Sequence, residues 1–255
     1  MKPNIYNSVQ VVWRYISFIA IWFIINKYFN CIFMKSLFFS LLTIGVISLY
    51  SCAPSYVPNV INTPLLNNKN EIQASVYGGT SGFDPQLAYA ITNNIGVMLN
   101  GSFENRSDTT NDFHKHNFVE LGVGYFNKFN NNGIFEFYGG YGFGKLQVKY
   151  EDGIFNSYSD VKTNRIFFQP AIGLTAKSVD FSFSSRFVLV GFEQNVLKYN
   201  RSYIEPAFTI KAGFKYIRFV TQMGYSIPLN SNNIVDSQPF MFSIGVQGNI
   251  NRIFE

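Results

Sequence analysis

Residues 133–147 read GIFEFYGGYGFGKLQ, a stretch in which large apolar side chains alternate with small or polar ones. Phe135, Phe137 and Phe143 fall on one face of this alternation, while glycines and Glu136 fall on the other. Because successive side chains of a β-strand point to opposite faces, a period of two predicts a strand with one apolar face. The stretch therefore indicates a β-sheet protein.

The same alternation continues from Glu71 towards the end of the chain. We predict ten strands, each near or above the ~9–11 residues that a tilted membrane strand requires. Short connections alternate with longer ones at 105–116, 148–163, 193–202 and 229–237, which is typical of an up-and-down meander. The predicted strands are 71–79, 84–92, 95–104, 117–129, 134–147, 164–176, 179–192, 203–214, 216–228 and 238–250.

The composition favours a barrel whose apolar face is turned towards lipid. Charged residues make up 14% of the chain, against about 25% in an ordinary soluble domain. The polar faces of the predicted strands carry mostly Gly, Ser, Ala and Gln, whereas a water-facing exterior would carry many Lys and Glu. We therefore predict an all-β fold, an antiparallel up-and-down transmembrane β-barrel of about ten strands.

The charge balance argues against nucleic acid as a partner. The formal charge of +5 owes much to residues 1–51, which hold four basic residues and no acidic one. Without them, 16 basic groups stand against 15 acidic groups. No basic face remains that could follow a phosphate backbone.

A compact export signal begins at Met34 and continues with an apolar stretch over residues 36–48. The sequence LYSC follows at 49–52. It resembles the bacterial lipoprotein signal, in which a Leu stands three residues before the Cys and a small residue directly before it. The resemblance implies a signal peptide over 34–51 and lipidation of Cys52.

Two further segments flank this signal. Residues 1–33 form an apolar N-terminal extension, which we interpret either as a mis-assigned start, with translation beginning at Met34, or as a membrane anchor. Residues 52–70 are rich in Pro and Asn and have neither helical nor strand period, so we predict a tether between the lipid and the fold. The β-barrel domain then covers residues 71–255.

The barrel domain resembles the small Gram-negative outer-membrane β-barrel proteins of the porin-like, OmpA-like and OmpX-like kind. The resemblance rests on strand periodicity, on Gly-x-Gly patterns such as residues 122–124, and on an aromatic-rich final strand. Those families usually end on an aromatic residue, whereas here Phe254 is penultimate. The resemblance implies outer-membrane lipid as the surroundings, with lipoprotein-sorting and barrel-assembly machinery as partners.

The predicted barrel has an even number of strands, so the first strand begins and the last strand finishes on the same side of the membrane. Bacterial membrane barrels place their short turns in the periplasm and their long loops outside. We therefore expect both termini on the periplasmic side of the outer membrane, with the N-terminal lipid in the inner leaflet.

Charged residues on the small-residue faces are candidates for the barrel lumen. An isolated buried ion is costly, so opposite charges inside a narrow barrel are expected to pair. We predict a network that plugs the lumen, and the rival interpretation is a narrow path for ions or solutes. The predicted lumen residues are Glu104, Glu120, Lys128, Glu136, Asp180, Arg186, Glu205, Lys211 and Arg218.

No catalytic, metal or cofactor site is predicted. His114 and His116 are the only histidines and fall in the first predicted long loop, where solvation is favoured over metal binding or catalysis. Residues 139–146 are close to a phosphate loop, but Leu146 stands where Ser or Thr is needed and the strand alternation continues through them.

The leading functional hypothesis is a non-enzymatic integral outer-membrane β-barrel lipoprotein with a structural or surface-interaction role and no assigned surface partner. Three alternatives remain open. The chain could be a narrow pore or transport component, a lipidated periplasmic barrel that binds an apolar ligand, or a rim enzyme that uses the loop with His114 and His116.

Overall fold

The computed structural model describes residues 56–107, 113–152, 155–194, 197–229 and 237–252. The predicted extension, the signal peptide and the lipidation site Cys52 lie outside these residues. Among the described residues, no helix is long and apolar enough to cross a membrane.

Eleven strands make one closed antiparallel sheet. Ten of them form a ring in which neighbours along the chain pair with each other, β11 pairs with both β1 and β9, and β9 pairs with β8. The two-residue strand β10 pairs with β8. The strands are β1 (Ile72–Gly79), β2 (Gly82–Ala90), β3 (Ile95–Ser107), β4 (Phe113–Phe129), β5 (Gly133–Asp152), β6 (Phe155–Thr175), β7 (Val179–Gln194), β8 (Leu197–Gly213), β9 (Ile217–Tyr225), β10 (Ile227–Pro228) and β11 (Phe240–Ile250).

The closed ring confirms the predicted barrel of about ten strands. Closure pairs the backbone of every strand in the ring on both sides, which removes the open edges that neither lipid nor water could satisfy inside a bilayer. The last strand closes on the first in a regular ladder, with Val246 opposite Val76.

A band of apolar side chains surrounds the outside of the barrel. Val123, Phe143 and Ile166 expose 57%, 62% and 59% of their surface, whereas Glu136 and Arg186 on the luminal side are fully buried. A soluble barrel would bury the first set and expose the second. The exterior is therefore a lipid-facing surface, as the sequence predicts.

The side-chain pattern reverses where the strands leave this band. Further along β5 and β6, Lys145 and Lys162 point outward and are exposed, while Leu146 and Val161 point inward and are buried beside Phe192. Polar outside and apolar inside is the pattern of a protein surface in water. The reversal marks the edge of the membrane and shows that these strands project beyond it.

Strands occupy much of what the sequence predicts as long loops. β5 and β6 pair through most of the predicted connection 148–163, with Val148 opposite Ser159, and β4 starts at Phe113. The prediction that 105–116, 148–163 and 193–202 are loops was therefore largely wrong. In the projecting hairpins apolar residues still alternate along the strand, but they lie on the inner face and not on the outer face as in the band.

The barrel has two distinct ends. The short-turn end carries the connections 91–94, 130–132, 176–178 and 214–216. The long-hairpin end carries the projecting strands β4 to β8. His114 and His116, predicted in a loop, lie in β4 at the long-hairpin end.

Residues 56–70 run through the inside of the barrel, although the sequence predicts them as a tether. Tyr56 lies at the long-hairpin end, where it pairs with Ser237 and stacks on Tyr203. The N–H of Asn70 donates to Ala90 O at 2.9 Å at the short-turn end, where β11 also finishes. The first and last described residues thus lie at opposite ends of the barrel. The expected position of both termini on the periplasmic side concerns residues outside the described chain and stays a prediction.

Candidate functional site

The candidate site is the lumen, which is filled by residues 56–70, named here the luminal segment. Most of this segment is buried against the wall; Ile61, Leu65 and Leu66 have no exposed surface, and Asn59 is 1% exposed. A chain crossing the lumen in extended form has no neighbouring strand, so its backbone polar groups need partners from the wall.

Glutamine side chains of the wall supply many of these partners. Gln222 accepts from the N–H of Ile61 at 2.8 Å and donates to the carbonyl of the same residue at 2.8 Å. Gln86 donates to Val60 O at 2.8 Å, and Gln169 donates to the carbonyl of residue 62 at 2.7 Å. The side-chain amides thus take the place of a neighbouring strand.

Two wall glycines receive the leucines of the luminal segment. A Cβ on Gly173 would stand 2.6 Å from Leu65 Cδ1, and one on Gly96 would stand 2.7 Å from Leu66 Cδ1. Leu65 has a φ of 53°, a left-handed conformation that costs a leucine about 1–2 kcal/mol. Its fit against Gly173 and its backbone hydrogen bond hold it there. The small residues of the wall therefore leave room for the segment.

The upper cluster consists of Glu120, Arg165, Arg186 and Glu205, all buried. Arg165 Nη2 lies 2.6 Å from Glu120 Oε2, and Arg186 Nη2 lies 2.7 Å from Glu205 Oε2. Asn59 stands between the pairs: its Nδ2 donates to Glu120 Oε1 at 3.2 Å, and its Oδ1 accepts from Arg186 at 2.8 Å and from Arg165. The luminal segment completes a cluster whose charges balance.

The lower cluster consists of Glu71, Asp180, Arg218 and Arg252, close to the short-turn end. Arg218 and Arg252 reach the two oxygens of Asp180 at 2.6 Å and 3.0 Å, and Arg252 Nε lies 3.7 Å from Glu71 Oε1. Burial raises the pKa of Glu71, and the charge of Arg252 opposes that shift. The charges of this cluster also balance.

Glu136 and Lys211 hold the bend of the luminal segment between the two clusters. The N–H of Leu65 donates to Glu136 Oε2 at 2.9 Å. The ammonium of Lys211 donates to the carbonyls of Thr63 at 2.7 Å and Pro64 at 3.3 Å. The buried Glu136 carboxyl group and the buried Lys211 ammonium therefore both bond to the backbone of the segment. Both side chains would lose these partners if the segment left.

The nine predicted lumen residues all lie on the luminal face, but they occupy distinct places. Glu120, Arg186 and Glu205 belong to the upper cluster, Asp180 and Arg218 to the lower cluster, and Glu136 and Lys211 to the bend. Glu104 stands at the rim of the long-hairpin end, and Lys128 lines a small cavity at the short-turn end.

Sequence reasoning missed Arg165, Glu71 and Arg252. Arg165 was detectable, because it shares the polar face of the sixth predicted strand with Gln169. Glu71 was also detectable, because it starts the predicted strand 71–79 on the same face as Gln73. Arg252 follows the last strand, where no alternation remains to assign a face. The role of the luminal segment was also missed.

Glu104, His114 and His116 converge at the rim of the long-hairpin end. His114 Nε2 lies 3.0 Å from His116 Nδ1, and Glu104 Oε2 lies 3.6 Å and 3.8 Å from these two nitrogens. Ser102 Oγ lies 3.0 Å from His116 Nε2. Below them a cavity of about 40 Å³ is bounded by Tyr56, His116 and Arg165 among others, which is room for a few waters only.

No protein-family model matches the chain, and no curated protein matches it. Among solved structures, the translocator domain of the autotransporter NalP from Neisseria meningitidis is similar at 10% identity and a TM-score of 0.45, over 70% of this chain and 86% of that one.

Two other solved structures are similar at lower TM-scores. The N-terminal β-barrel domain of Pseudomonas aeruginosa OprF gives 11% identity and a TM-score of 0.33, over 72% of this chain and 100% of that one. The NanC porin gives 12% identity and a TM-score of 0.32, over 72% and 99%. These likenesses concern the fold alone, that of the closed β-barrels of outer membranes.

Replacing Arg186 by Leu tests whether the upper cluster stabilises the barrel. The substitution leaves the buried Glu205 without its guanidinium, so we expect the free energy of unfolding to fall by about 3–5 kcal/mol. The measurement is urea unfolding in lipid vesicles. The exposed pair of Lys198 and Glu193 is the control, since Lys198→Ala should cost less than about 1 kcal/mol. Equal effects of the two substitutions would contradict the assignment.

Proposed function

We propose that the chain is a non-enzymatic, lipid-anchored β-barrel of the Gram-negative outer membrane that is closed by its own luminal segment. The observation that carries the proposal is the passage of residues 56–70 through the lumen, bonded to the wall along its length. In this role the barrel anchors its projecting hairpins in the membrane and does not conduct ions or solutes.

Closure is supported by what an open lumen would cost. Leaving the lumen would expose Leu65 and Leu66, remove Asn59 from the upper cluster, and take the carbonyl partners from Lys211. These losses act together, because the segment is continuous. We therefore favour a sealed barrel over the alternative of a narrow pore.

The projecting hairpins support a structural or surface-interaction role. Strands β4 to β8 extend beyond the apolar band with buried apolar side chains inside, including Leu146 and Phe192. Within the described residues they form paired strands in water and not a set of irregular loops. A partner at the surface would meet these strands, and assembly by barrel-inserting and lipoprotein-sorting machinery follows from the same proposal.

The path of the luminal segment also bears on the lipid anchor. Cys52 precedes Tyr56 by four residues, which span at most about 14 Å, whereas the eight residues of β1 cover about 26 Å. From the long-hairpin end, the lipid on Cys52 could not reach the short-turn end. If the long hairpins face outward, as in bacterial membrane barrels, the lipid enters the outer leaflet.

Planar-bilayer recordings test whether the lumen is sealed. We expect the wild-type protein to show no steady current. A variant in which residues 57–66 are replaced by a Gly-Ser linker of equal length should show stepwise conductance, because the wall side chains lose the partners that fill the lumen. Heat-modifiable mobility on a gel confirms that the variant is folded. Steady ohmic current from the wild type would overturn the proposal.

Labelling of intact cells tests the anchor and its side. We expect metabolic palmitate to label the wild type and not Cys52→Ala. A membrane-impermeant maleimide should label Lys198→Cys at the long-hairpin end in intact cells and Asn93→Cys at the short-turn end only after permeabilisation. The reverse order of maleimide labelling would place the lipid in the inner leaflet, and palmitate label that persists in Cys52→Ala would refute the anchor.

A further inference from the structure

We propose that Glu104, His114 and His116 form a binding site for a divalent transition-metal ion, Zn²⁺ first, at the rim of the long-hairpin end. This His–His–Glu cluster is independent of the closure of the lumen. It revises the expectation from the sequence that the chain has no metal site.

The register of two strands brings the ligands together. His114 and His116 are two apart on β4, so both point to the luminal side, and Glu104 on β3 stands directly opposite His116. Side chains on directly opposite residues of an antiparallel pair are near neighbours. Three side chains from two adjacent strands therefore converge by register alone, without a loop.

The distances suit a metal ion. The three candidate ligand atoms, His114 Nε2, His116 Nδ1 and Glu104 Oε2, are separated by 3.0, 3.6 and 3.8 Å. Zn²⁺ with bonds of ~2.0–2.1 Å and tetrahedral geometry needs ligand atoms about 3.3 Å apart. The cluster therefore needs shifts of only a few tenths of an ångström to surround the ion.

Hydrogen bonds around His116 turn its free lone pair towards the cluster. The hydroxyl of Ser102 lies 3.4 Å from Ser81 O and 3.0 Å from His116 Nε2. When the hydroxyl donates to Ser81 O, its oxygen accepts from His116 Nε2–H. This leaves the Nδ1 lone pair of His116 facing His114 and Glu104. A partner on the second ring nitrogen is the usual way in which proteins orient a metal-binding histidine.

The second histidine can adopt the required tautomer. Both imidazoles are buried, which favours the neutral form that binds metals. Within the described residues, Nδ1 of His114 is buried and has no hydrogen-bond partner. When Nε2 binds the ion, the ring proton moves to Nδ1, and the gain from the bond to the metal has to exceed the cost of a buried donor without a partner.

Arg106 is compatible with a cation at this place. Its Nη2 lies 2.6 Å from Glu104 Oε1, which leaves Oε2 directed at the histidines. The guanidinium side chain is 68% exposed, so it can turn into water when an ion binds. One further coordination position can be taken by water from the cavity that His116 lines.

A hydrolytic role for the same group is less well supported. A serine nucleophile gives its proton to histidine, but the hydroxyl of Ser102 is directed at Ser81 O and the residue is only 2% exposed. The arrangement positions His116 and does not activate Ser102. Metal binding is therefore the chemistry that the cluster fits.

Titration of the untagged full-length protein with Zn²⁺ tests the site. We expect one equivalent to bind and to raise the temperature of unfolding, since a ligand that binds only the folded state stabilises it. His114→Ala and His116→Ala should each weaken binding roughly tenfold or more, and Glu104→Gln should weaken it as well. Lys115→Ala is the matched control, because this residue lies between the histidines but points outward, and its affinity should equal that of the wild type.

Electron paramagnetic resonance of bound Cu²⁺ gives a second measurement. The wild type should show coupling to two imidazole nitrogens, and each histidine variant should show one. The chain has two histidines, so no other imidazole can contribute. If a variant that carries both His114→Ala and His116→Ala binds Zn²⁺ as tightly as the wild type, or if the wild type binds none, the proposal is wrong. Ser102→Ala, which keeps all three ligands, provides a milder variant if the histidine variants do not fold.

Discussion

The structure depends on one constraint, which is that charges and backbone polar groups inside the barrel must find partners away from bulk water. An unpaired ion in such a place costs several kcal/mol. The wall presents Glu136 and Lys211 to the lumen, where Glu136 Oε2 accepts from the N–H of Leu65 and the Lys211 ammonium donates to the carbonyl of Thr63. The wall and the segment therefore stabilise each other, and neither is complete alone.

The same constraint explains the small residues of the wall. Gly96 and Gly173 leave the space that two leucines of the segment fill, and glutamines on three strands reach its backbone. A wall with larger side chains could fill the lumen without a segment, as small membrane barrels do. Here the luminal segment fills the lumen instead. Whether the lumen is open or closed therefore depends on residues outside the strands.

The reversal of the side-chain pattern links the membrane to the candidate metal site. Inside the band the strands turn apolar residues to lipid, and beyond it they turn Lys145 and Lys162 to water. The projecting part behaves as a small soluble sheet with its own interior. His114 and His116 lie in that part, where the surroundings are water and not lipid.

Local alternation carried most of the prediction, because the face of a strand residue follows from its neighbours one and two positions away. It identified the barrel, the orientation of Phe143 and the luminal position of Arg186. It could not reveal the luminal segment, since Ile61 meets Gln222 across 161 positions of sequence. The histidine cluster was missed because the part of a strand beyond the apolar band carries polar residues, and such a stretch resembles a loop when it is considered without its neighbouring strand.

One cross-link tests directly whether the segment lies inside the barrel. Thr63 Oγ1 of the segment and Ser182 Oγ of β7 are 3.2 Å apart, so cysteines at both positions in a Cys52→Ala background should form a disulfide. The account predicts that this disulfide shifts the mobility of the protein on a denaturing, non-reducing gel. It predicts no shift when Thr63→Cys is paired with Thr92→Cys, which lies in an exposed turn. A folded barrel in which the 63–182 pair stays reduced under oxidising conditions would contradict the account.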